Sequence, residues 1–170
     1  GDAEMYYQIR RFYKPKKIVE IGSGQSTLIS LEAIKKNKLE NNSSTKLICI
    51  EPYENNWLEN LGIEVMRKKI EDVDLDLCKN LEANDILFID SSHIIRPQGD
   101  ILKEFLEILP ILKPGVIIHI HDIYTPRNYP ERWLKKENRF YNEQYLLEAM
   151  LDNSKRYSVL LALNFLKNDH

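Results

Sequence analysis

The sequence predicts an α/β fold, a mostly parallel sheet with helices on both faces, from three observations. Apolar periodicity switches repeatedly between short β-type runs and helical spacing. The first strand-like run passes into Gly22-Ser23-Gly24 and then at once into helical spacing, the order of a strand, a tight turn and a helix. The stretch from Asp85 to Asp90 is almost continuously apolar, as in a strand covered on both faces.

Each element follows in order. Met5, Ile9, Phe12 and Tyr13 recur at helical spacing after Asp2, a plausible N-cap, and Pro15 marks the break before the first strand, Lys17 to Ile21. A helix from about Gln25 to Lys36 carries Leu28, Leu31 and Ile34 on one stripe, and Asn41 to Thr45 is the polar turn after it. Leu47 to Glu51 reads as the second strand, Ile63 to Met66 as a short third and Asp85 to Asp90 as the fourth. The helix from Gly99 to Leu112 has Ile101, Leu102, Phe105, Leu106, Ile108, Leu109 and Leu112 on its apolar side, and Pro114-Gly115 ends it. Val116 to His121 forms the fifth strand. A polar, aromatic loop to about Tyr141 follows, then a helix near Asn142 to Leu151 and a last strand within Tyr157 to Asn164. Loops this long are usually functional or disordered, so Tyr124 to Tyr141 is a candidate lid.

Composition narrows the function. The 170 residues, 43% hydrophobic and 29% charged, suffice for one domain with its own core and exclude a disordered tail. Lys plus Arg number 24 against 26 Asp plus Glu, a net charge of −2, so no basic field awaits nucleic acid or anionic lipid. Cys49 and Cys78 fit neither a disulfide framework nor a CxxC metal site and read as reduced core residues. No apolar stretch approaches the roughly 18 residues of a membrane span, and Gly1 to Tyr7 make no signal peptide. The expected compartment is cytoplasmic and the expected partner a small molecule; oligomeric state is left undetermined.

Ligands of open α/β sheets bind beyond the carboxyl ends of the strands. The first strand closes in Glu20-Ile21-Gly22-Ser23-Gly24-Gln25-Ser26-Thr27, where glycines admit close backbone approach and the helix start offers free N–H groups. There is no P-loop, and Thr27 stands where a dinucleotide fingerprint has its third glycine. Glu51 closes the second strand, where an acidic side chain can accept both hydroxyl protons of a ribose. The fourth strand ends in Asp90-Ser91-Ser92-His93 and the fifth in His119-Ile120-His121-Asp122. His93 and His121 are candidate general bases, while the deeper His119 reads as a hydrogen-bonded core histidine. Asp90, His121 and Asp122 are candidate ligands for a divalent cation. The acidic run Glu71 to Asp76 lacks the glycine and the closing glutamate of a calcium loop and reads as a solvated face or helix start. In the candidate lid, Arg127, Arg132, Lys135, Lys136 and Arg139 alternate with aromatic residues, of which Trp133, Phe140 or Tyr141 is expected to fasten the loop to the body.

These motifs together resemble the class I S-adenosylmethionine-dependent methyltransferases, in the branch labelled methyltransferase family 24. The similarity lies in Ile18 to Gly24 with Ser26-Thr27, in Phe88 to His93, in Leu112-Lys113-Pro114-Gly115 leading to His119 to Asp122, in Tyr129-Pro130, and in Asn142 to Leu147. The resemblance implies a Rossmann-like domain whose Glu20, Gly22, Ser23 and Gly24, with Ser26, cradle the methionine part of S-adenosylmethionine. It places Glu51 on the ribose, Ile70 and Glu71 near adenine, Asp90 beside the methionyl amino group or the methyl, and His93, His121 and Asp122 toward the acceptor. Analogy with related sugar methyltransferases adds magnesium as a candidate cofactor, with Asp90 and Asp122 matching and His121 standing where an acid often stands. The implied function is O-methylation of a small hydroxylated acceptor such as a sugar or natural product. The rivals are a non-catalytic methyltransferase-like binding or regulatory module and an NAD-dependent oxidoreductase. The fold's seventh strand has no sequence to form it, so residues 1–170 are expected to be one S-adenosylmethionine-binding domain cut from a longer chain.

Overall fold

Alternation along the first strand decides how the molecule is layered. In the computed structural model, which describes residues 1–53, 55–152 and 154–168, β1 (Lys17–Ile21) is the central strand of a five-stranded sheet. The others are β2 (Lys46–Ile50), β3 (Glu64–Met66), β4 (Ile86–Ile89) and β5 (Ile117–Ile120). Their order is β3-β2-β1-β4-β5, and every pairing is parallel.

Side chains two apart on a strand share a face. Val19, Ile21, Ile48, Ile50, Leu87 and Ile89 therefore build one core with Ile101, Phe105, Ile108 and Leu109 of the 100–111 helix. Ile18, Leu47, Cys49, Ile86 and Ile117 build the other, covered by helix α1 (Asp2–Tyr13) through Ile9 and Tyr13 and by helix α2 (Gln25–Asn41) through Leu31 and Ile34. Cys49 and Cys78 are buried free thiols, pushed up to about 12 by burial.

Three expectations change. Helix α1 begins at Asp2 itself, with Gly1 at the cap. Helix α2 runs five residues past Lys36, because Asn37 to Asn41 keeps the helical run and the αL position falls on Asn42, whose N–H returns to Lys38 O. The last strand within Tyr157 to Asn164 does not form: residues 157–162 carry no regular structure and Leu163–Asn168 is a helix. A strand needs a ladder partner, whereas Val159, Leu160 and Leu161 lie exposed. An apolar run by itself does not distinguish these outcomes.

The 100–111 helix is α-helical at its ends, with a π-helical stretch, Lys103–Ile108, between them. The candidate lid contains a short helix, Glu131–Lys135, and the helix Glu143–Asp152 follows it.

Candidate active site

Chain direction reverses beside β1: the chain moves outward through β2 and β3, then returns to β4 and β5 on the other side. Such a switch point opens a crevice at the carboxyl ends of the strands. Backbone bonds align the strand ends there, from Gly22 N–H to Ile50 O, Asp90 N–H to Ile21 O and His121 N–H to Ile89 O. Gly22 has φ 77°, and a Cβ there would lie 1.8 Å from the Asp90 carbonyl oxygen, so only glycine fits between β1 and β4.

The resulting cleft of about 480 Å³ is lined by Gly22, Ser23, Gly24 and Ser26 on one side and by Asp90 and His121 on the other, with Glu51 at its edge. Seven residues singled out from sequence thus meet in one cavity. Glu51 Oε2 accepts the Ser23 N–H at 3.2 Å and its Oε1 accepts the Tyr53 N–H at 3.0 Å, which orients the carboxylate. Asn55, missed in the sequence, donates its Nδ2–H to Ser23 O at 2.8 Å and straps the glycine turn from above. Asp2, Ala3 and Tyr6 of α1 also line the cleft, a long-range placement with no local signal.

Other expected residues sit elsewhere. Glu20 points to the opposite face from Val19 and Ile21 and is 0% exposed beneath the turn. Its carboxylate accepts from Tyr6 Oη–H at 2.6 Å, Thr27 Oγ1–H at 2.7 Å and Ser30 Oγ–H, and Arg10 lies 3.7 Å away. It braces α1 and α2 instead of touching the cleft. Ile70 is a core residue, and Glu71 faces Arg96 at 3.5 Å; neither lines the cleft. His93 and Asp122 stand just behind the lining, each next to a residue that belongs to it.

The electrostatics centre on Asp90. Its Oδ1 lies 3.1 Å from His93 Nε2 and 3.3 Å from His121 Nδ1. Burial alone would raise the carboxyl, but the two imidazoles overcome it and hold Asp90 well below the usual carboxylate range. His93 has φ 60° and is buried; Glu143 binds its Nδ1, and these two carboxylates outweigh burial and push the ring up to about 10. His121, near Asp90, Asp122 (3.4 Å) and Asp2 (3.5 Å), is raised to about 9, chiefly by Asp90. His119 is not the hydrogen-bonded residue expected: it packs 5.0 Å from the rings of Tyr6 and Phe88, and burial lowers it to about 4.

The Asn142-Glu143-Gln144 stretch acquires a physical meaning. Asn142 Oδ1 accepts the Ile95 N–H, Glu143 holds His93, and Gln144 accepts from the Tyr124 N–H and donates to Arg127 O. Trp133 stacks among Tyr124, Tyr129 and Tyr141, and Tyr141 lies 4.3 Å from the His93 ring. Trp133 and Tyr141 therefore fasten the candidate lid, while Phe140 stays exposed. Lys135 pairs with Glu131, and Arg132 and Arg139 share Glu137 within the same segment.

The donor set suits a methionyl nucleoside at one end. Ser23 Oγ is buried without a hydrogen-bond partner among the described residues, and the first turn of α2 offers N–H groups to a carboxylate. A divalent cation is not accommodated in the same way. Among the described residues no group of three or more His, Cys, Asp or Glu side chains is disposed to hold a metal, and two imidazoles lie within 3.3 Å of Asp90 Oδ1.

Fold and cleft define a class I methyltransferase domain, a five-stranded Rossmann-like sheet with its site at the strand ends. The chain belongs to methyltransferase family 24, whose methyltransferase-domain model matches residues 19–123. It is similar to an uncharacterized protein of Archaeoglobus fulgidus, 37% identical over 89 residues, which are 49% of this chain and 38% of that protein. Its fold matches the MycE methyltransferase of the mycinamycin biosynthetic pathway, solved with Mg and S-adenosylhomocysteine, with a TM-score of 0.54 at 16% identity over 88% of this chain and 42% of that one. The chain spans about two-fifths of the length of these relatives. No helix among the described residues is long and apolar enough to cross a membrane.

Proposed function

We propose that residues 1–170 form the catalytic domain of an S-adenosylmethionine-dependent O-methyltransferase acting on a small hydroxylated acceptor, of the sugar or natural-product kind. The observation that carries this reading is the single cleft in which Ser23 and Glu51 face Asp90 and His121. The chain's near-neutral net charge of −2 fits a small acceptor better than a polyanion. The buried free thiols fit a reducing, cytoplasmic compartment.

S-adenosylmethionine, when bound, supplies a methyl group on a sulfonium sulfur. The Ser23 hydroxyl and the backbone N–H groups after Gly24 receive its methionyl end, and Glu51, oriented by two backbone donors, receives the ribose hydroxyls. Asp90 presents negative charge where the sulfonium or the amino group lies. Asp2, Tyr6, His119 and His121 line the side left for the acceptor. Orientation of an acceptor hydroxyl in line with the methyl supplies much of the rate.

The hydroxyl proton goes to His121. His93 is unsuited, because it is buried behind the lining of the cleft, with Glu143 and Asp90 holding its two nitrogens away from any acceptor. It serves to fix Asp90. His121 borders the cleft, and its neutral form offers a lone pair. Since its conjugate acid titrates near 9, the base form is scarce at neutral pH and grows as pH rises. The kcat/KM for an acceptor found in a panel of sugars and phenols should therefore climb about tenfold per pH unit below about 9 and level off above it. His121→Ala should flatten this profile and lower the rate by roughly 10²- to 10⁴-fold. A His121→Ala enzyme with the wild-type profile would assign the proton elsewhere.

A further inference from the structure

The glycine turn has little to hold it from within, because Ser23 is carried between two residues that have no side chain. Glycine loses more freedom on ordering than any other residue, so such a turn must be tied from outside. Apart from the bond from Gly24 N–H to Thr27 Oγ1 at 3.2 Å, its ties to Ser23 come from the segment that follows β2. Glu51 Oε2 takes the Ser23 N–H at 3.2 Å, and Asn55 Nδ2–H donates to the Ser23 carbonyl oxygen at 2.8 Å. Both main-chain polar groups of Ser23 are thus engaged from one segment. Its hydroxyl, buried with no hydrogen-bond partner among the described residues, is left to meet a ligand.

That segment is itself held by a guanidinium. Arg67, just past β3, donates from Nη1 to the Glu51 carbonyl oxygen at 3.0 Å and from Nη2 to the Asn55 carbonyl oxygen at 3.2 Å. Glu59 receives Nε–H at 2.7 Å and Nη2–H at 2.8 Å, a two-pronged pairing that fixes the planar fork. Trp57 Nε1–H donates to Asn55 Oδ1 at 3.2 Å, which turns the Asn55 amide so that its N–H faces Ser23. Asn55 also adopts φ 58°, a left-handed position that asparagine occupies more readily than most residues. It lines the cleft together with Ser23 and Glu51.

We propose that Asn55 is a positioning residue for the methionyl end of the cofactor: clamped by Arg67 and Trp57, it fixes the Ser23 peptide so that the Ser23 hydroxyl and the N–H groups after Gly24 meet the ligand already oriented. The inference rests on the reading of the cleft as an S-adenosylmethionine site and adds the residues that prepare one end of it. Preorganisation of this kind raises affinity by removing the cost of ordering from the binding step. Glu51 has a second tie, the Tyr53 N–H at 3.0 Å, which does not pass through Ser23. The ribose end therefore depends on Asn55 much less than the methionyl end does.

Isothermal calorimetry with two probes separates this role from a general structural one, since S-adenosylhomocysteine carries the methionyl end and adenosine lacks it. Asn55→Ala should weaken S-adenosylhomocysteine by about tenfold, the scale of one hydrogen bond, and leave adenosine within about twofold. Asn55→Asp keeps an acceptor for Trp57 but brings no N–H to Ser23, and should lose at least as much. Equal weakening of both probes by Asn55→Ala, or unchanged S-adenosylhomocysteine binding in both variants, would overturn the proposal. In the ligand-free wild-type protein, NMR should show one Asn55 side-chain amide proton protected from exchange with water; exchange of both at the rate of a free amide would remove the clamp, even if a variant fails to fold. A wild-type protein that binds neither probe while that proton stays protected would overturn the cofactor reading, and with it the role assigned to Asn55.

Discussion

Replacing Gly22 by alanine should cost more than about 3 kcal/mol of stability and abolish S-adenosylhomocysteine binding. Two independent effects add. The residue sits at φ 77°, where an L side chain carries roughly 1–2 kcal/mol of strain. The added Cβ would also lie 1.8 Å from the Asp90 carbonyl oxygen, a separation no packing adjustment tolerates. Strand ends β1 and β4 must therefore part, and with them Ser23 and Asp90, the two sides of the cleft. Urea denaturation reads the first effect and isothermal calorimetry the second. An alanine variant that unfolds with the wild-type midpoint and binds normally would show that the turn is looser than its geometry.

Glu20→Ala should be destabilising by about 3–5 kcal/mol, because it strands a buried cation. Arg10 is 1% exposed and has Glu20 as its carboxylate, while Tyr6, Thr27 and Ser30 all donate to the same two oxygens. Removing the acceptor leaves the buried Tyr6 and Thr27 hydroxyls without it and takes the counter-charge from Arg10. The paired change Glu20→Ala with Arg10→Met should recover the share of the loss that comes from the stranded cation, while the Tyr6 and Thr27 hydroxyls stay without their acceptor. Chemical denaturation of the single and double variants closes the cycle. A double variant no better than Glu20→Ala would locate the energy in the hydroxyl bonds instead of the ion pair.

Much of this architecture is legible in the sequence where the determinants are local. The bounds of β1, the glycine turn and the start of α2 follow from neighbouring residues, and the strand ends collect Glu51, Asp90 and His121 because parallel strands all finish on one edge. Alternation even shows that Glu20 faces away from Val19 and Ile21, although the resemblance to cofactor-binding motifs assigns it to the cleft. What escapes is set by distant contacts. The state of His93 depends on Glu143, fifty positions away, and the acceptor wall depends on α1 folding across the sheet. Ile70 and Glu71, which the resemblance puts near adenine, lie in the core and beside Arg96, contacts that no neighbouring residue in the sequence announces. The final apolar run lacks a neighbouring strand, and local propensity then makes part of it helical.

The central claim is that the cleft binds a sulfonium nucleoside, and thermal unfolding in parallel with S-adenosylmethionine, S-adenosylhomocysteine and NAD tests it most directly. The first two, at about 100 times their dissociation constants, should stabilise the protein by roughly 2.7 kcal/mol, and NAD should leave it unchanged. Stabilisation by NAD alone, or by none of the three, would contradict the account.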